Sequence, residues 1–289
     1  GGHVSPVVAI LAPILTPWPG TRPQADRMAI LKDAQDRLHA EKELCLTRLD
    51  YLCQQILHFG DWDRCHDDLQ EWRYQNRDRQ FKLILMARGH LKSSILTIAD
   101  TIQILLRKPD TSVLLASAVW NSSRSFLSEI KEYLQTKSIL PQMFGAFEGE
   151  AKWTADQITI AQRIQPNKTP SIDTSGIEKT MTSQHYSYIK ADDLVTRENV
   201  TTADQMMKVK NYLGDLIKLL EPDGTMDVVG TRWADADVYG HIIAKLTDER
   251  LLKDAFVVYK RGAVESGIPI FPKKFSLEKL AAIKIQIGS

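Results

Sequence analysis

The stretch FKLILMARGHLKSS, Phe81–Ser94, decides the fold. Phe81–Ala87 is a short apolar run of strand length, Arg88–His90 is a polar turn, and Lys92–Leu106 shows helical periodicity until Pro109 stops it. A strand that turns through basic residues into a helix N-terminus presents free backbone N–H groups, a cation and a hydroxyl together. A phosphate chain with its Mg²⁺ requires that set. Lys92 supplies the cation and Ser93 the hydroxyl, while Gly89 alone takes positive φ without cost. The standard phosphate loop, GxxxxGK[ST], puts glycine at positions 86 and 91, where this sequence has Met86 and Leu91. An ordinary solvated strand-to-helix turn is the competing reading.

Outward from this turn, strands and helices alternate. The sequence predicts a strand at Ser112–Ser117, a helix near Asn121–Gln135, a hairpin region at Lys152–Arg163 and a strand at Tyr186–Ala191. A helix near Thr202–Leu219 follows, then a turn at Pro222–Gly224, a strand at Met226–Gly230, a helix at Asp235–Leu246 and a strand at Ala255–Tyr259. This order predicts an α/β fold with a mainly parallel central sheet flanked by helices. Upstream, Gln24–Leu57 has no Pro or Gly and carries Leu31, Leu38, Leu49 and Leu52 at helical spacing, an N-terminal helical packing segment closed by Gly60. Asp63–Tyr74 reads as a second short helix. The first 23 residues, rich in Pro and Gly, read as an extended lead-in. Neither repeats nor low-complexity segments occur.

Composition narrows the class. Of 289 residues, 43% are hydrophobic and 25% charged, which excludes wholesale disorder and fibrous repeats. Lys plus Arg (37) nearly cancel Asp plus Glu (36), so nothing coats nucleic acid by charge alone. No apolar run reaches the roughly 20 residues of a membrane span. Val7–Leu15 is short, contains Pro13 and lacks a basic leader, so it is not read as a signal peptide. Cys45, Cys53 and Cys65, odd in number and without CxxC spacing, indicate free thiols in a reducing compartment.

In open parallel sheets ligands bind beyond the carboxyl ends of the strands. YSYIKADD (Tyr186–Asp193) closes on two carboxylates. In nucleotide hydrolases one such carboxylate holds Mg²⁺ and the next acidic group orients the attacking water. Asp192 fits the first role, Asp193 or Glu198 the second; capping of a loop or helix is the plainer use of such a doublet. Lys190 inside the strand suggests that one face is partly exposed. In MDVVGTRWADADVYG (Met226–Gly240), Thr231 and Arg232 stand at a third strand end, from which they could sense a γ-phosphate and transmit its loss. The structural alternatives are Trp233 as a core plug and Arg232 paired with Asp235 or Asp237.

Together these segments resemble the ATPase domain of the large terminase subunit of tailed bacteriophages. ARGHLKS (Ala87–Ser93) is similar to the family's deviant Walker A, [A/P]RGHxKS. ADDLVTREN (Ala191–Asn199) is similar to its Walker B and following acidic segment, and GTRWADADVYG (Gly230–Gly240) to its coupling motif. IPIFPKKFSLEKLAAIKIQIG (Ile268–Gly288) resembles the linker before the second domain. The resemblance runs from about His66 to the C-terminus. It implies an ASCE-type P-loop NTPase fold, here residues 61–267, in which ATP hydrolysis with Mg²⁺ drives double-stranded DNA into the prohead. By position, Arg88, Gly89, His90, Leu91, Lys92, Ser93 and Ser94 would line the ATP, with Lys92 on the β- and γ-phosphates, Ser93 and Asp192 on Mg²⁺, and Arg88 reaching the γ-phosphate. Thr231 and Arg232 would couple hydrolysis to movement, and His66 falls where the family has its adenine-side polar residue.

Two departures stand out. Asp193 replaces the family's usual Glu, which leaves Glu198 as a rival for the catalytic role. Thr180–His185 has no arginine where relatives carry one that acts on a neighbouring subunit, leaving Lys179, Arg124, Arg197 or Arg88 for that task. The implied partners are DNA, the portal protein, the small terminase subunit and further copies in a ring, within the host cytoplasm and on the prohead. Candidate DNA contacts are Arg22 with Arg27, Lys260 with Arg261, and Lys273 with Lys274. The family's nuclease domain would follow residues 268–289, so the expectation for a chain ending at Ser289 is an ATPase domain unable to cut DNA.

Overall fold

The structure, a computed structural model, describes residues 10, 24–135, 137–150, 152–179, 184–233, 236–247 and 255–287. Apart from Ile10, the expected lead-in over residues 1–23 lies outside these, as do most of Thr180–His185 and the expected helix start at Asp235. α1 (Gln24–Thr47) and the short turns Leu49–Tyr51 and Leu52–Ile56 form the N-terminal helical segment. Its leucine spacing marks a packing face: Leu49, Leu52, Cys53 and Ile56 are buried. All three cysteines are free and buried. Burial pushes the thiols of Cys45 and Cys65 up to about 12, which keeps them protonated and inert. α2 (Arg64–Gln75) starts at Asp63, whose carboxylate accepts the Arg64 N–H.

The sheet contains β1 (Phe81–Leu85), β2 (Val113–Ser117), β3 (Gln157–Ile158), β4 (Ile172–Gly176), β5 (Tyr186–Asp192), β6 (Leu220–Gly230) and β7 (Phe256–Lys260). Their order is β3-β4-β2-β5-β6-β1-β7. Every pairing is parallel except that of β3 with β4. Helices interleave with the strands: α3 (Asp100–Arg107), α4 (Trp120–Leu134), α5 (Ile139–Phe144), α6 (Ala203–Lys218), α7 (Val238–Lys245) and, last, α8 (Leu277–Ile287). On one face Ile84, Leu115 and Val229 pack with Ile95, Ile98, Ile102 and Leu127. On the other, Leu83, Val228 and Ile189 pack with Leu213, Leu216 and Ile242. Apolar residues on both faces are why β1 and β2 read as continuous hydrophobic runs. Each fully buried Leu, Ile or Val contributes about 1.5–3 kcal/mol. The architecture is thus the α/β fold that the sequence predicts: a mostly parallel sheet between helices, after an N-terminal helical segment.

Two local expectations need correction, and two local features are additional to them. β4 (IDTSG), three of whose five residues are polar, does not read as a strand in the sequence; it is buried throughout as an inner strand. The Pro222–Gly224 turn lies inside β6 as a bulge, since Tyr186 pairs with Leu220 while Tyr188 pairs with Thr225. The helix after Lys92 is wound as a π-helix from Ser94 to Ala99 before it becomes α3. Lys190 does not mark an exposed face: it is 2% exposed and its ammonium meets Asp100 and Asp227.

Gly230 ends β6 where no side chain fits. A Cβ there would sit 2.1 Å from the Tyr239 hydroxyl oxygen, and Tyr239 is itself fully buried. Gly230→Ala is expected to destabilise the chain by about 3 kcal/mol, measured as a shift of the urea midpoint. An unchanged midpoint would show that Tyr239 yields without loss.

Candidate functional site

β5, β6 and β1 are neighbours in the sheet, so their carboxyl ends bring the 86–94, 192–193 and 230–233 segments to one edge. After β1 the chain turns through Gly89 at φ 80° and Leu91 at φ 56°. A left-handed non-glycine residue costs roughly 1–2 kcal/mol. Leu91 therefore adopts a conformation that glycine takes freely, and its side chain packs against the core in return. A Cβ on Gly89 would lie 2.8 Å from Phe275 Cζ, so the turn and the segment before α8 touch directly.

Two histidines brace this turn. The Asp63 N–H donates to His66 Nδ1 at 2.9 Å, which leaves the proton on Nε2, facing the His90 carbonyl at 3.3 Å. His66 is completely buried, so it supports the loop from behind, and both its nitrogens are engaged with protein. His90 is 1% exposed; its Nδ1 lies 3.1 Å from the Arg88 carbonyl and its ring stacks on Phe275 at 5.1 Å. Burial holds both imidazoles below the ordinary histidine range, hence neutral at pH 7.

Lys92 opens the helix and is 5% exposed, with Nζ 3.7 Å from Asp193 Oδ1. Asp193 itself has φ 47°, a left-handed value that Asp tolerates better than most residues. The Ser93 hydroxyl donates to Asp192 Oδ1 at 3.1 Å, and the Thr97 hydroxyl to Asp192 Oδ2 at 2.5 Å. Asp192 is fully buried. Burial first, then the charge of Asp193, push its carboxyl up to about 6, against the pull of Thr97, Lys92 and Ser93. Such a carboxylate gains from any cation brought beside it.

The Thr231 hydroxyl donates to the Met86 carbonyl at 3.2 Å, tying the end of β6 to the start of the loop. The exposed Arg88 lies 5.4 Å over the Trp233 ring. Trp233 is 41% exposed, so it is not a core plug. Arg232 and Ser94 are half-buried beside these groups. Glu198 is exposed, at the start of the turn Glu198–Val200, and lines a cavity of about 360 Å³ with Ala118, Val119, Ile177 and Lys208. Lys179 donates to the Thr174 carbonyl and Arg124 pairs with Asp156 at 2.8 Å, whereas Arg197, like Arg88, is exposed.

Of the basic pairs, Arg261 is bridged to Asp68 and Glu265, Lys273 Nζ donates to the Trp62 carbonyl, and Lys274 lies 3.4 Å from Asp61. Arg22 and the Arg27 side chain lie outside the described residues. Sequence reasoning missed Thr97. The signal was present, because Thr97 follows Ser93 by four residues and therefore shares its helical face. It also missed Phe275, which nothing local connects to Gly89.

Among the described residues no three His, Cys, Asp or Glu side chains cluster as a metal cage. One carboxylate and one hydroxyl on facing elements fit a Mg²⁺ held mainly by phosphate oxygens and water. The edge thus offers a helix N-terminus, an ammonium, a hydroxyl and two carboxylates, a set able to hold an anion together with a divalent cation.

No family model and no curated protein matches the sequence. Among solved structures, the chain is similar to the large terminase of bacteriophage HK97, with a TM-score of 0.56 and 14% identity over 86% of this chain and 51% of that one. The chain spans about half the length of that terminase. At this identity the likeness is one of fold, a mostly parallel α/β sheet flanked by helices.

Proposed function

We propose that the chain is the ATPase motor domain of a phage large terminase, hydrolysing Mg·ATP to drive double-stranded DNA into a prohead. One observation carries the reading: Ser93 and Lys92 of the first loop meet Asp192 and Asp193 of the second, at 3.1 and 3.7 Å, across residues about 100 apart in sequence. The fold likeness to a large terminase supports it. Lys92 and the backbone N–H groups of the 88–93 turn bind the β- and γ-phosphates, and Arg88 reaches the γ-phosphate. Ser93 and Asp192 hold Mg²⁺, which offsets charge on the phosphates. Asp193, beside Lys92, accepts the hydrogen bond of the attacking water and aligns it. Little covalent chemistry is asked of these side chains; alignment and charge neutralisation lower the barrier. Thr231, linked to Met86, reports the state of the loop to β6. DNA, the portal, the small subunit and neighbouring copies in a ring are the partners of such a motor.

Asp193→Asn is expected to bind ATP within about threefold of wild type and to lose turnover by about 10²-fold, while Glu198→Gln turns over normally. Titration with a fluorescent nucleotide and a phosphate-release assay distinguish the two. Normal turnover in both variants removes Asp193 from the catalytic role. A wild-type chain that binds no Mg·ATP removes the nucleotide reading altogether.

A further inference from the structure

Five charged groups that the nucleotide site does not use form a buried row beneath it. Lys82 of β1 pairs in register with Asp227 of β6, which pairs in register with Lys190 of β5. Three adjacent parallel strands thus carry plus, minus, plus at one level of the sheet. Lys190 Nζ donates to Asp227 at 2.6 Å and also to Asp100 of α3. Arg73 of α2 closes the set, 2.7 Å from Asp100 and 3.4 Å from Asp227. Their side chains are between 1% and 16% exposed, and they floor a cavity of about 960 Å³. Taking such charges out of water costs several kcal/mol per ion, and an apolar row of equal volume is often as stable or more so. Stability alone gives a poor account of the row.

Its placement gives a better one. Lys190 precedes Asp192 by two residues on β5, so both side chains leave the same face of the sheet. Asp100 follows Thr97 by three residues, so both leave one face of the helix that Lys92 begins. Helix and strand are therefore joined by two parallel rungs: Thr97 to Asp192 above, Asp100 to Lys190 below. The upper rung contains the carboxylate assigned to Mg²⁺. The lower rung fixes how far that strand stands from the loop helix, and Asp227 and Arg73 extend the restraint to β6 and α2.

We propose that Lys190 and Asp100 are positioning residues for the nucleotide site, setting the separation of Ser93 and Asp192 through this second rung. The inference rests on the nucleotide reading above. In the charge-balanced variant Lys190→Met/Asp100→Asn, one positive and one negative group go together, so the remaining Arg73, Lys82 and Asp227 keep the row's net charge. ATP binding is expected within about threefold of wild type. The Mg²⁺ concentration for half-maximal turnover rises about tenfold or more, as when outer-shell partners of a metal site are removed. A folded double variant with wild-type kcat and Mg²⁺ response overturns the proposal, whatever its melting temperature. If the double variant does not fold, Lys190→Arg decides: it keeps the charge but not the reach, and an unchanged Mg²⁺ response there also overturns the proposal. Wild type measured alongside separates the cases, since a parent that binds no Mg·ATP fails the nucleotide reading itself.

Discussion

Asp192→Asn is expected to stabilise the nucleotide-free chain while abolishing Mg²⁺-dependent ATP turnover. The Asp192 carboxyl is buried beside a second carboxylate, and its pKa stands at about 6 against an ordinary 3.8. The folded chain therefore holds this proton more tightly than the unfolded chain does. Between pH 4 and 6 the native state binds more protons, so stability falls as pH rises through that window. Well above pH 6, with the carboxyl ionised, the full penalty is present, on the order of 2–3 kcal/mol. Asparagine keeps the shape and removes the charge. Its gain is expected in full at pH 7.5 and absent below pH 4, read from chemical denaturation at both pH values without added Mg²⁺. Turnover is expected to fall by at least about 10³-fold, because the amide offers no charge to the cation. An Asn variant that is less stable than wild type at pH 7.5 would show that Ser93, Thr97 and Lys92 already compensate the carboxylate.

Lys92→Ala is expected to weaken ATP binding by about 10²-fold or more and to leave no measurable turnover. The ammonium is held in a nearly dry position at the first turn of its helix, where a charge-assisted contact with phosphate contributes most. Its removal acts twice. The phosphate loses its cation, and Asp192, whose pKa Lys92 helps to lower, rises further and meets Mg²⁺ protonated more often. A fluorescent-nucleotide titration with and without Mg²⁺ separates the two contributions. Binding within threefold of wild type under both conditions would make Lys92 a partner of Asp193 and nothing more.

The parts legible in the sequence follow from local rules. Alternating apolar runs and helical spacings gave the layers, and strand termini bearing Lys92–Ser93, Asp192–Asp193 and Thr231 pointed to one edge because parallel strands end together. The 1–23, 24–60, 61–267 and 268–289 divisions remain a sequence reading. What local rules miss is long-range. β4 is hidden because its Asp, Thr and Ser find partners: Asp173 accepts from the Tyr186 hydroxyl at 2.9 Å and Ser175 from Tyr212 at 2.8 Å. Lys190 reads as a surface residue until Asp227 and Asp100 arrive from 37 and 90 residues away. The place of Glu198 likewise depends on how the chain turns after Asp193, which spacing cannot give.

The ring of Phe275 rests where a methyl group on Gly89 would be, and Phe271 meets the edges of His66 and His90 at 4.8 and 5.6 Å. The 88–91 turn and the chain ahead of α8 therefore share a steric boundary, with no slack between them. A displacement of Phe275 is therefore felt at the backbone of that turn, and a displacement of the turn at Phe275.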